Sequence, residues 1–193
     1  MKAGVLKPSG KLQQAVRLLL LVSLISVLLS GNLFAKTAKE IDVSVDAALE
    51  RFYKQVAGAG EFAKAAKGML VMPNVVKAAF IIGGEYGEGA LRIGGKSVAY
   101  YNTVSGSIGF QIGGESKDII LCFMTEAALN KFRASKGWEA GVDGNVALIS
   151  IGAGQRADTT TAKDPIVGFV FDAKGLIADL SIKGAKFTKL DIK

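Results

Sequence analysis

From Phe80 onward the chain is written in short β-type runs separated by glycine-rich turns, and this pattern most limits its possible folds. Runs lie near 80–83, 89–93, 97–104, 107–113 and 117–124. A helical stretch at 125–135 follows, with Thr125 as N-cap and Ala128, Leu129 and Phe132 on one face. Further runs lie near 145–152, 166–172, 175–182 and 185–191, with Asp172-Ala-Lys-Gly175 reading as a hairpin turn. Most connections are too short for crossover helices, so the sheet is expected to be mainly antiparallel. Ahead of it, Ile41, Val45, Ala48, Leu49, Phe52 and Val56 fall on one stripe at helical spacing, predicting a helix over 41–58. Thr37 and Glu40 offer a capping box at its start, and Gly58 and Gly60 stop it. A short helix is expected over 61–67. Pro73 then breaks the pattern, and the spacing after it admits another helical turn. The expected fold class is α+β: N-terminal helices packed on a mainly antiparallel, glycine-rich β-sandwich or partial barrel.

The N-terminus reads differently. Residues 1–17 carry Lys2, Lys7, Lys11 and Arg17 without an acid, and the apolar run Leu18–Leu29 follows, then small and polar residues to Ala35. This is the layout of a secretory signal peptide, with cleavage expected after Ala35 and Ala38 as the alternative. The run of 12 residues is short for about 30 Å of hydrocarbon, although an uncleaved signal anchor is the rival reading. The expected division is a signal peptide at 1–35 and one domain at 36–193. The expected location is the periplasm or cell envelope, in peripheral contact with a membrane. The whole chain has 24 Lys+Arg against 17 Asp+Glu, a net +7. Removing the four N-terminal cations leaves 20 against 17, a net +3, which argues against a nucleic-acid partner.

The chain contains no histidine and one cysteine, Cys122. No Ser-His-Asp triad, Cys-His pair or histidine-ligated metal site can be built within it. Neither can an internal disulfide or a four-cysteine zinc site. Cys122 sits between Ile119-Ile-Leu and Phe123-Met, the setting of a buried, inert thiol. Gly152-Ala-Gly-Gln-Arg-Ala157 matches a loose dinucleotide pattern, but Asp158 and three threonines do not open a helix. Gly95-Lys-Ser97 lacks the earlier glycine of a phosphate loop and leads into a strand. Asp143-Gly-Asn145 reads as a tight turn rather than a calcium loop. Glu85 and Glu88 are the best candidates for a carboxylate pair, but no nucleophile or positioned base accompanies them. No catalytic residue, metal or cofactor is therefore assigned.

Two basic bands remain. Arg51, Lys54, Lys64, Lys67 and Lys77 form the N-terminal one, and Lys183, Lys186, Lys189 and Lys193 the C-terminal one. Either could meet anionic head groups, each residue contributing about 1 kcal/mol near such a surface.

The segment 66–95, AKGMLVMPNVVKAAFIIGGEYGEGALRIGG, resembles the SYLF domain family. The resemblance continues through Ser107-x-Gly109-x-Gln111-x-Gly113, Phe123-Met-Thr125, Phe132, Trp138-x-x-Gly141-x-Asp143 and Lys174-Gly-Leu176. It implies a lipid-binding module of the bacterial exported type, with phosphoinositides bound and actin met by some eukaryotic members. It implies the N-terminal basic part as the membrane contact, so Arg51, Lys54, Lys64, Lys67 and Lys77 are the expected lipid-binding residues. The expected function is non-enzymatic binding of anionic phospholipid at an envelope membrane. The alternative is a structural or interaction protein of the envelope, with a protein partner and incidental lipid contact.

Overall fold

The structure, a computed structural model, describes residues 36–78, 84–106, 115–150, 163–174 and 181–192. Helix α1, Ala38–Gln55, begins at the expected capping box. The Glu40 N–H donates to Thr37 Oγ1 at 3.3 Å, and the Thr37 N–H donates to Glu40 Oε2 at 2.8 Å. The Thr37 N–H and then its hydroxyl, both donating to the Glu40 carboxylate, hold that carboxyl below its ordinary range. Ile41, Val45, Ala48 and Phe52 are its buried stripe. Gly58, with φ of 83°, turns the chain into α2, Ala59–Ala65.

Strand β1, Gly68–Ala78, replaces the expected break and helical turn at Pro73. Both of its neighbours slip register around residues 72–75, which marks a bulge there. Proline is tolerated at a bulge because its missing N–H removes no regular ladder bond. Asn74 takes φ of 49°, and its N–H donates to Asp118 Oδ1 at 2.8 Å. The β-branched residues Val71, Val75 and Val76 favour the extended chain on either side.

Strands β2 (Gly84–Ile93), β3 (Lys96–Gly106) and β4 (Glu115–Phe123) follow, then α3 (Glu126–Ala134) with Thr125 as its N-cap. The last strands are β5 (Trp138–Glu139), β6 (Ala147–Ser150), β7 (Ile166–Lys174) and β8 (Lys186–Leu190). The expected runs at 80–83 and 107–113 and most of 175–182 lie outside the described residues, as does Gly152–Ala157. The turn expected at 172–175 is also revised: β7 continues through Lys174, with Asp172 at φ of 50° where its pairing with β4 shifts.

The eight strands form one sheet in the order β5-β8-β3-β2-β1-β4-β7-β6. Every pairing among the described residues is antiparallel except β6 with β7. The sheet curls into a half-barrel with the N-terminal helices on one side, so the expected α+β class holds. Side chains alternate across β4. Ile119, Leu121 and Phe123 enter the concave core with Phe132 of α3, Trp138 of β5 and Phe187 of β8. Ile120 and Cys122 enter the opposite core, where Ile41, Val45, Phe52 and Phe62 of the helices meet Phe169 and Phe171 of β7. Phe169 makes edge-on ring contacts with Phe52 and Phe62 at 5.0 Å each.

Cys122 is buried in this second core, and burial pushes its thiol up to about 12 from an ordinary 9.0. The neutral thiol is the folded form. Its contribution to stability is complete below the ordinary thiol pKa and is lost as pH rises towards about 12. A thiol reagent at about pH 8 is expected to leave the folded protein unmodified and to react fully after denaturation. Rapid reaction of the folded protein contradicts this packing.

Candidate functional site

The amphipathic stripe of α1 seats the helix across the sheet, and this brings α2 over the β2–β3 turn. Gly94 and Gly95 make that turn at φ of 58° and 78°. Lys67 follows α2, and its N–H donates to the Phe123 carbonyl at 2.8 Å, which fixes where the chain enters β1. The result is a hollow of about 310 Å³ bounded by α1, α2, the start of β1 and the β2–β3 turn. Leu49, Ala63, Ala66 and Met69 supply apolar wall, Tyr53 stands exposed at the edge, and Lys64, Lys67 and Arg92 supply charge.

Two of the five expected lipid-binding residues meet at this hollow. Lys64 in the last turn of α2 and Lys67 just beyond it are both exposed. Lys54 is exposed in the last turn of α1 but does not line the hollow. Arg51 turns inward: its Nη2 lies 2.7 Å from Asp118 Oδ2, and its Nε lies 3.1 Å from Asp172 Oδ2. Lys77 lies on β1 near Glu115 of β4, at 3.8 Å. Composition groups these five residues, whereas the fold separates them.

Arg92 and Tyr53 join the site without having been singled out from sequence. Arg92 Nη2 lies 2.6 Å from Asp46 Oδ1 on α1, and its Nη1 donates to the Gly95 carbonyl at 3.0 Å. It thus ties helix, strand and turn together at the floor of the hollow. Asp42, one turn before Asp46, accepts from the Ser97 and Tyr100 hydroxyls on β3. No local signal could have paired Arg92 with Asp46 at 2.6 Å and Asp42 at 3.8 Å, which lie 46 and 50 positions away in sequence. Tyr53 was legible in principle, because it falls off the apolar stripe of α1.

Glu85 and Glu88 do not form a working pair. They stand three apart on β2, an odd separation that points side chains to opposite faces. Glu85 is ion-paired at 2.9 Å with Lys117, which is almost fully buried. Glu88 accepts from the Tyr86 hydroxyl at 2.7 Å and from the Lys36 N–H at 3.4 Å. Burial, with that hydrogen bond and the Glu88 charge, pushes Tyr86 up to about 12. In the 143–145 turn, Asp143 accepts from the Glu139 N–H at 2.8 Å, the turn role read from the sequence. The strand expected after Ser97 is β3.

Among the described residues no helix is long and apolar enough to cross a membrane. Comparison with curated proteins gives no match. Residues 104–191, from the end of β3 through β8, match the Ysc84 family, described as Las17-binding protein actin regulator. That match agrees with the motifs of residues 66–143, so over residues 104–191 the chain is similar to the SYLF domain of the Ysc84 family.

Proposed function

We propose that this protein binds anionic phospholipid non-enzymatically at a membrane surface, and that the hollow beside Lys64 and Lys67 is its contact. The observation that carries the reading is the pairing of these two exposed cations with apolar wall and an exposed Tyr53. A phosphate can sit between the ammonium groups while the aromatic edge and lysine stems meet the interfacial region. The Asp46 carboxylate largely neutralises Arg92, so Lys64 and Lys67 supply most of the attraction. The basic, leucine-rich residues 1–35 support export to an envelope compartment as the setting.

Cosedimentation of residues 36–193 with vesicles tests this reading. Binding is expected to vesicles containing phosphatidylglycerol and not to pure phosphatidylcholine. It should weaken as ionic strength rises from about 0.01 M to about 0.15 M, where the screening length falls from about 30 Å to about 8 Å. Equal binding to both vesicles, or none at low salt, contradicts the proposal.

The family's description, which names a protein partner, favours a second reading as an interaction module. A stable protein partner recovered in pull-downs, together with indifference to vesicles, is the outcome that selects it.

A further inference from the structure

We propose that the cleft between the edge strands β5 and β6 is a binding site for a single acyl chain with an anionic head, of the fatty-acid class. This goes beyond contact with a membrane surface, and the cleft shares no residue with the hollow at Lys64 and Lys67.

Among the described residues, strands β5 and β6 end the sheet at its two sides and are not paired with each other. Curling brings both sides to the same concave core, so their apolar residues face a common space. That space is a cleft of about 370 Å³, within the range of small-molecule sites. Ala140 and Ile182 line it from the β5–β8 side, and Val146 and Leu148 from the β6 side. Ala140 and Ile182 belong to the buried core, and Val146 and Leu148 pack partly exposed against it. An apolar occupant would therefore extend the core rather than rest on a polar surface.

The lip carries the opposite chemistry. Lys183 is exposed there, and its aliphatic stem lies over Gly141, where a side chain would crowd it. Gly141 has φ of 85° and belongs to the turn linking the two sides of the sheet. Asn145 and Ser181 add polar groups, and among the described residues no carboxylate lines the cleft. An apolar slot with the Lys183 ammonium at its mouth complements a single-chain amphiphile with a carboxylate or phosphate head. Each methylene the alkyl chain buries there strengthens binding through the hydrophobic effect.

Trp138 is the chain's only tryptophan, is buried, and lies two residues from Ala140. It is a built-in energy donor for cis-parinaric acid, used below its aggregation concentration and without membranes. Saturable quenching of Trp138 with sensitised probe emission is expected, reversed by oleate but not by methyl oleate. Val146→Phe fills the cleft, and Lys183→Glu reverses the charge at the lip. Each is expected to weaken binding about tenfold or more. Lys64→Gln with Lys67→Gln should leave it unchanged, so failure of the vesicle contact and failure of this site are separable. Lys183 is exposed, so its variant keeps the test valid if Val146→Phe fails to fold. Absence of saturable transfer, equal competition by methyl oleate, or wild-type affinity in folded Lys183→Glu overturns the proposal.

Discussion

Gly89→Val is expected to yield no soluble, folded protein. A Cβ at this position would stand 2.0 Å from the Val71 carbonyl oxygen and 2.9 Å from Met72 Cα. Both are backbone atoms of β1, which is held in register by β2 on one side and β4 on the other. No rotamer change relieves the clash, so the central β1–β2 pair must separate. Overpacking a core typically costs about 1–3 kcal/mol even when side chains can move. Here the cost includes broken ladder bonds, within a net stability of about 5–15 kcal/mol for a domain. Gly60→Ala is the control, because Gly60 lies in α2 with nothing within 4 Å of the added Cβ. It should be neutral or stabilise by up to about 1 kcal/mol. Soluble yield and thermal unfolding read both variants. A folded Gly89→Val protein contradicts the β1–β2 packing.

Arg51→Ala is expected to have the second largest effect, and on stability rather than on lipid contact. The Asp118 side chain is 2% exposed and receives both Arg51 and the Asn74 N–H at the β1 bulge. Asp172, at the irregularity in β7, shares the same guanidinium. One side chain from α1 therefore anchors the helix to β4 and β7 and supports the β1 bulge and the β7 irregularity. Removing it strands a buried carboxylate. The expected loss is about 3 kcal/mol, the low end for breaking a buried pair, because Arg51 keeps some exposure to solvent. Arg51→Lys should recover only part of this, since a point charge cannot bridge both carboxylates as the planar fork does. The denaturant midpoint should fall with an unchanged slope. Vesicle affinity of the folded protein should barely change. A variant of normal stability that loses membrane binding would instead make Arg51 a contact residue.

Arg51 also shows where sequence reading stops. Its place on the polar flank of α1 was legible, and so was its charge. Its partners lie 67 and 121 positions along the chain, and only the stacking of α1 on the β4 and β7 strands brings them together. Local signals were reliable where one residue acts on its neighbours. The Thr37–Glu40 box fixed the start of α1, its apolar stripe named the buried face, and Thr125 began α3 as expected. Pro73 misled because a break in helical pattern and a bulge in a strand share one residue type. The β-branched residues around it were the better guide. Strand order was not legible, since β5 pairs with β8 across a separation that no turn signal spans. The hollow was half legible. Lys64 and Lys67 could be read as neighbouring exposed cations, whereas Arg92 and the apolar wall depend on how α2 meets the β2–β3 turn.

The most direct test of the membrane face compares two charge-reversed proteins on phosphatidylglycerol vesicles at low salt. One carries Lys64→Glu and Lys67→Glu at the hollow; the other carries Lys186→Glu and Lys189→Glu on β8, both exposed. Net charge changes equally in the two, so any difference reports position. Even neutralising the first pair removes about 2 kcal/mol of attraction at about 1 kcal/mol per residue, roughly thirtyfold in partitioning, and reversal should exceed this. The account predicts that the first protein stays in the supernatant while the second pellets nearly as wild type. Equal losses in both, or a larger loss in the second, would contradict a contact at Lys64 and Lys67.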